Sequence, residues 1–407
     1  MRTDPGNIGA ALAELDASAL RRQRRVIEGY PSAGDASRVL VEGRLLRVFC
    51  SNDYLGLAQH PEIIAALQTA SAQFGAGSGA AHLVTGHSAP HQGLEAELAA
   101  YTGRERALLF STGYMANLGV LAAFAGRGEA VLQDRLNHAS LIDGARLSGA
   151  RLLRYRHADA HDAALVLAER GDCAVIATDG LFSMDGDVAP LRELAAIAAR
   201  HRAWLLVDDA HGLGVLGASG RGSLELAGLD AKAAPLLVGT LGKAFGCFGA
   251  FVAGDADVIE FILQHARTCT YTTALPPGVA AAASAALRVS QRESWRREQL
   301  HARVGQFRAG ALALRLPVTD SRSPIQPLIV GDAPRALRLS RALYERGFWV
   351  TPIRPPTVPA GGARLRMTLS AAHSAADVDE LLVALERVWQ GEPARQGEPA
   401  WQGEPPP

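Results

Sequence analysis

Lys243 stands in the segment Gly239-Thr240-Leu241-Gly242-Lys243-Ala244-Phe245-Gly246 and is one of only two lysines, with Lys232, against thirty-nine arginines. A guanidinium stays charged at any workable pH, whereas a lysine amine can lose its proton and attack a carbonyl carbon. The neighbouring glycines let the backbone turn tightly and let a bulky ligand come close. The apolar run Pro235-Leu236-Leu237-Val238 reads as a buried strand, so the amine falls just past a strand end, where open α/β sheets bind ligands. The chemistry that suits such an amine is Schiff-base formation, the way pyridoxal phosphate is held. A surface lysine in a glycine-rich loop fits this segment alone equally well, so other residues must decide.

Four further strand-like runs end in polar residues. Ala203-Trp204-Leu205-Leu206-Val207 leads into Asp208-Asp209-Ala210-His211. A carboxylate at a buried strand end suits a pyridinium nitrogen, which it keeps protonated, and Asp208 fits that role; His211 is placed to bond a ring hydroxyl. Ala107-Leu108-Leu109-Phe110 leads into Ser111-Thr112-Gly113-Tyr114 and then helix formers, a strand, turn and helix start that offers the Gly113 and Tyr114 amides to a phosphate. After Ala130-Val131-Leu132 comes His138, which can stack on a pyridine ring, and after Cys173 to Thr178 comes Ser183, a hydroxyl near that ring. A helix cap explains Asp208, a βα turn Gly113, and simple packing His138, each taken singly. Four polar strand ends together with a glycine-framed lysine favour the pyridoxal phosphate reading.

Two other patterns are set aside. Gly212-Leu213-Gly214-Val215-Leu216-Gly217 has the dinucleotide spacing, but Ala218-Ser219-Gly220-Arg221-Gly222 prevents the helix such a fingerprint must open. His87 and His91 have a zinc-like spacing, yet Pro90 lies between them and is expected to spoil the helix; no metal is expected.

These residues must be positioned by an α/β fold. Short apolar runs alternate with helical stretches up to about Val289, which predicts a mainly parallel sheet covered on both faces. The expected organisation is a helical arm over residues 1–49, a large domain over 50–289, a small α+β domain over 290–389 and a disordered tail over 390–407. That tail repeats Gln-Gly-Glu-Pro three times, too polar and proline-rich for a core. The small domain is read from the runs Ile325-Val330, Phe348-Thr351 and Arg364-Leu369. Formal net charge is zero over 407 residues, which leaves no global electrostatic case for nucleic acid or membrane. Four dispersed cysteines and an N-terminus interrupted by Asp4, Glu14 and Asp16 lead to the expectation of a cytoplasmic protein.

Taken together the chain resembles the α-oxoamine synthases, pyridoxal phosphate enzymes of fold type I. The resemblance runs from about Ser51 to Leu382 and rests on Ser51-Asn52-Asp53-Tyr54-Leu55-Gly56-Leu57, the Asp208 and Lys243 segments, Ile325-Gln326-Pro327-Leu328-Ile329-Val330, and Ile353-Arg354-Pro355-Pro356-Thr357-Val358-Pro359. It implies a homodimer with active sites at the subunit interface, where Tyr271-Thr272-Thr273 and the loop Gly75 to Gly79 approach the neighbour's cofactor. The implied reaction is a decarboxylating condensation of L-alanine with a pimeloyl thioester, on coenzyme A or acyl carrier protein, giving 8-amino-7-oxononanoate in biotin biosynthesis. Lys243 would hold the cofactor and move the substrate's α-proton, Asp208 would pair the ring nitrogen, and His138 would stack on the ring. Ser183 and His211 would meet the ring hydroxyl, and Thr240 would lie near the phosphate. Asn52 and Thr357 would line the substrate site, Arg354 or Arg366 would grip the carboxylate, and Arg21, chosen from Arg21, Arg22, Arg24 and Arg25, would meet the acyl group. His82 departs from the arginine that many members carry in its neighbourhood. A glycine-using or serine-using synthase is the nearest rival; a non-catalytic partner subunit is disfavoured by Lys243, and an aminotransferase by the whole pattern.

Overall fold

The computed structural model describes residues 7–32 and 34–391. The expected disordered tail from residue 392 onward lies outside the described residues. The described chain divides into two compact units, one made of Asn52–Ser183 and Asp187–Glu298, the other of the described residues up to Ser51, Met184–Gly186 and those from Gln299 onward.

In the second of these, strands β1 (Arg38–Val41) and β2 (Arg44–Val48) form an antiparallel hairpin. Its two turn residues, Glu42 and Gly43, have φ of 52° and 69°, the left-handed pair that a two-residue hairpin turn requires. A helical arm running through to residue 49 is therefore not what forms. Among the described residues of this stretch the α-helix is confined to Ile8–Ala17; Gly29, Pro31 and Gly34 disfavour helix further on, and the β-branched Val39 and Val41 turn inward to a core with Leu46, Val48 and Tyr344.

The larger unit is built on seven strands: β3 (Arg106–Phe110), β4 (Ala130–Asp134), β5 (Arg151–Tyr155), β6 (Val175–Asp179), β7 (Trp204–Asp208), β8 (Leu236–Thr240) and β9 (Ala250–Gly254). Their order is β3-β9-β8-β7-β6-β4-β5. Six run parallel, and β9 is antiparallel to both of its neighbours. Alternate residues feed two separate cores: Val131, Val175, Ala177, Leu206, Leu236 and Val238 on one face, Leu132, Ile176, Leu205, Val207 and Leu237 on the other. Both faces are covered, which is why these strands read as continuous apolar runs. The dinucleotide-like glycines lie in turns, and the next helix starts only at Ser223.

The rest of the smaller unit adds β10 (Ile325–Gly331), β11 (Phe348–Trp349), β12 (Thr351–Ile353) and β13 (Ala363–Thr368). β11 joins the hairpin beside β2, while β10 and β12 flank β13 in a separate antiparallel sheet. Helices Ala333–Glu345 and Ala375–Gln390 cover these strands, the second opened by a reciprocal Ser374–Asp377 capping box.

Candidate active site

The carboxyl ends of β3, β4, β6, β7 and β8 carry the polar residues. After β3, Thr112 caps the helix Gly113–Phe124 by accepting the Met115 N–H at 3.2 Å. The first-turn amides of Gly113 and Tyr114 have no acceptor within the helix. A Cβ built at Gly113 would meet nothing within 4 Å, so this helix start has room for a phosphate. The Tyr114 hydroxyl bonds Asp143.

After β4, His138 caps the helix Ala139–Ser148. Its backbone N–H donates to Asp179 Oδ2 at 2.6 Å, and its Nδ1 lies 2.7 Å from Ser140 Oγ and 3.3 Å from the Ser140 nitrogen. The residue is exposed by surface area, yet its ring is partly desolvated. That desolvation lowers its pKa; Asp208 opposes the shift and Lys243 adds to it.

β6 and β7 end side by side, Asp179 paired in register with Asp208. Asp208 Oδ2 accepts Asn117 Nδ2 at 2.6 Å and Oδ1 accepts the Ala210 N–H at 3.0 Å. Burial, and then the Asp208 charge, raise the Asp179 pKa well above the usual carboxylate range. Burial likewise pushes Asp209 up to about 7, although the Ser223 N–H donates to it at 2.7 Å. Gly222 stands at φ +90° against Asp209, and any Cβ there would overlap its carboxylate.

Lys243 is half-buried in the loop after β8. Its positive charge acts on His138, Asp179 and Asp209 alike, which puts the amine among the ends of β4, β6 and β7. Thr240 closes the loop, donating to Gly249 O at 3.1 Å and accepting the Gly242 N–H at 3.2 Å. Gly246, at φ +65°, packs on the backbone of Leu57 and Ala58, where a side chain would collide. His211 is buried with Nδ1 2.7 Å from the Tyr54 hydroxyl, which also donates to Asn52 Oδ1 at 3.2 Å. Ser183 lies half-buried beyond the end of β6.

The remaining candidates belong to the smaller unit. Arg366 is buried on β13, its register partners being Pro327 and Thr351. Arg354 is engaged with the N-terminal segment, donating to the Ala19 and Arg21 carbonyls. Arg21 itself pairs with Asp16 at 2.7 Å, whereas Arg22 reaches Thr357 Oγ1 at 3.1 Å. Arg22 is thus the arm arginine whose side chain meets Thr357, while Arg21 meets Arg354 through its backbone carbonyl.

Asn117, Ser140 and Tyr54 are brought to the candidate residues by the fold. A fully buried asparagine within the apolar helix Gly113–Phe124 is a readable signal; Ser140 looks like any first-turn residue. Pro90 opens the helix Ala89–Thr102 instead of breaking it, and leaves His87 outside. Among the described residues no group of His, Cys, Asp and Glu is arranged to hold a metal ion.

The profile of the aminotransferase class I and II family matches residues 47–385. An 8-amino-7-oxononanoate synthase of Thioalkalivibrio sulfidiphilus is 59% identical over 93% of this chain and 96% of its own length. One from Methylococcus capsulatus is 58% identical, covering 95% and 98%. Among solved structures, a Sphingomonas wittichii serine palmitoyltransferase superposes with a TM-score of 0.88 at 31% identity, covering 95% of this chain and 97% of that one. An 8-amino-7-oxononanoate synthase from Francisella tularensis gives 0.75 at 31% identity, covering 85% and 98%. The parallel sheet, the strand-end constellation around Lys243 and near full-length identity lead to one conclusion: this chain belongs to the aminotransferase class I and II family, pyridoxal phosphate enzymes of fold type I, and within it to the 8-amino-7-oxononanoate synthases.

Proposed function

We propose that this chain condenses L-alanine with a pimeloyl thioester, releasing carbon dioxide and the free carrier and giving 8-amino-7-oxononanoate for biotin synthesis. The observation that carries this reading is identity of 59% along nearly the whole of a synthase relative. Pyridoxal phosphate fits the residues present: open helix-start amides at Gly113 and Tyr114 for the phosphate, the Asp208 carboxylate for the ring nitrogen, and the Lys243 amine for the aldehyde carbon. When bound, it supplies an electron sink that weakens the bonds at the amino acid's α-carbon.

In this reading Lys243 Nζ would hold the cofactor and would serve as the base that takes the substrate's α-proton and later returns one. Asp208 keeps the ring nitrogen protonated, and its two accepted hydrogen bonds fix the carboxylate for that task. His138 would lie against the ring, and Ser183 and His211 would meet its hydroxyl. His211 is steadied by Tyr54, and Tyr54 by Asn52. Thr240 holds the lysine loop at the phosphate end. Arg366 takes the substrate carboxylate, because a planar guanidinium suits a bidentate anion and Arg354 is already occupied by the arm carbonyls. Thr357, with Arg22 and Arg21, serves the acyl end. We also assign a homodimer, with the loops at Gly75–Gly79 and Tyr271–Thr273 facing the partner, and a cytoplasmic location; no helix among the described residues is long and apolar enough to cross a membrane.

For the thioester carrier we favour acyl carrier protein, on the strength of the exposed arginines Arg21, Arg22, Arg24 and Arg25, which attract an acidic partner. Assayed with L-alanine, both pimeloyl carriers should yield the product, with kcat/KM on acyl carrier protein higher by about fivefold or more at low salt and converging at high salt, where exposed charges are screened. No product on either carrier refutes the condensation; equal, salt-independent values refute only the carrier preference.

A further inference from the structure

Four side chains form a continuous line through the larger unit. Asp208 Oδ2 lies 2.6 Å from Asn117 Nδ2, Asn117 Nδ2 lies 2.8 Å from Ser140 Oγ, and Ser140 Oγ lies 2.7 Å from His138 Nδ1. Asn117 and Ser140 are completely buried, so water does not compete for their bonds.

Donor and acceptor accounting fixes every proton along this line. An amide nitrogen carries two hydrogens and accepts nothing; Asn117 therefore gives one N–H to Asp208 and the other to Ser140. The opposite amide orientation would set its oxygen against the Asp208 carboxylate, two acceptors facing each other. With its oxygen already accepting from Asn117, the Ser140 hydroxyl has its own hydrogen to donate, and His138 Nδ1 lies within reach. The Ser140 backbone N–H also points at Nδ1, at 3.3 Å. Two donors converge on that nitrogen, so it is bare and the ring proton sits on Nε2, the edge directed away from the helix start it caps. At the other end, Asp208 accepts at both oxygens, from Asn117 and from the Ala210 N–H.

We propose that Asn117 and Ser140 are positioning residues that preset two groups at once: Asp208 as an accepting carboxylate and His138 as the tautomer protonated on Nε2. Asn117 belongs to the same helix whose first turn carries Gly113 and Tyr114, one turn further on. That single helix therefore ties the phosphate end of the site to the residue assigned to the ring nitrogen. The inference rests on the roles given above to His138 and Asp208, but the state of the histidine ring is a property of the protein itself.

The test is nitrogen NMR of the full-length protein labelled at histidine, with and without pyridoxal phosphate, the His138 signals being assigned through His138→Gln. The wild type should show a bare Nδ1 and a protonated Nε2 in both forms. Ser140→Ala removes the hydroxyl donor, and a measurable share of the Nδ1-protonated tautomer should appear. Its pyridoxal phosphate dissociation constant should rise about tenfold, as for one lost buried hydrogen bond. Asn117→Ala strips a donor from both ends and should raise that constant further, while Ser140→Thr, which keeps the hydroxyl, should restore the wild-type tautomer. A wild-type ring protonated on Nδ1, or an unchanged tautomer in Ser140→Ala, overturns the proposal. The wild-type spectrum decides even if a variant fails to fold. A protein with the expected tautomer that binds no pyridoxal phosphate would instead count against the functional reading and leave the proton assignment standing.

Discussion

Lys243→Ala should lower kcat by at least about 10³-fold, because positioned proton transfer alone contributes roughly 10²–10⁴ and the covalent hold on the cofactor goes with it. The rarity of lysine in this chain makes the experiment unusually clean. Lys232, the other lysine, is exposed, and Lys232→Ala should leave kcat within about twofold, as surface substitutions do. Borohydride reduction of the loaded wild type should add the cofactor's mass to the peptide containing residue 243 and not to the one containing 232. Lys243→Ala should lose that adduct while keeping its fold, since the loop is held by Thr240, by the Gly246 N–H to Lys243 O bond of 2.8 Å and by the Cys247 N–H to Leu241 O bond of 2.8 Å. A Lys243→Ala enzyme within tenfold of wild type would remove the amine from the mechanism.

The second large effect is expected at Asp208. Asp208→Asn keeps the size of the side chain and removes its charge. The asparagine oxygen can still accept from Asn117, but its NH₂ then faces the Ala210 N–H, donor against donor, where the carboxylate now accepts at 3.0 Å. Loss of one preorganised electrostatic partner at a developing charge costs about 10²–10³ in kcat, and the variant should fall in that range. Its pyridoxal phosphate affinity should weaken too, readable by dialysis and reconstitution without any turnover. Activity within threefold of wild type would show that the ring nitrogen does not depend on this carboxylate.

Much of this arrangement is legible along the chain because its signals are local. Runs such as Ala107-Phe110 and Leu236-Val238 declare β3 and β8 by their continuous apolarity, and each is followed at once by the residues that matter. What the chain hides is what depends on distant partners. Strand β5 escapes because Arg151 and Arg154 interrupt its apolar pattern, as an edge strand permits. The reversed direction of β9 is set by its pairing with β3 and β8, which leaves no mark on Ala250 to Gly254. The assignment of Met184–Gly186 to the smaller unit also comes from contacts remote in sequence, among them the Ser321 hydroxyl donating to Gly186 O at 2.9 Å. Among the candidate residues, Lys243, Asp208 and His138 announce themselves by residue type at strand ends, whereas the Asn117–Ser140 link joins residues that look ordinary until the sheet brings them together. Likewise, the bond from Arg22 to Thr357 is invisible along the chain, since four closely spaced cations are equivalent to a reader of sequence.

The shared fold does not choose the amino acid: the chain superposes on a serine palmitoyltransferase with a TM-score of 0.88 and on an 8-amino-7-oxononanoate synthase with 0.75, both at 31% identity. The most direct test is therefore a competition. The purified enzyme, loaded with pyridoxal phosphate, is given a pimeloyl thioester and equal amounts of L-alanine, glycine and L-serine, and the amino ketones formed are weighed by mass spectrometry. We predict 8-amino-7-oxononanoate in excess over the other products by at least about tenfold, the discrimination a pocket fitted to one methyl group can reach. A glycine-derived or serine-derived ketone as the main product would contradict the assignment of L-alanine while leaving the Lys243 chemistry in place.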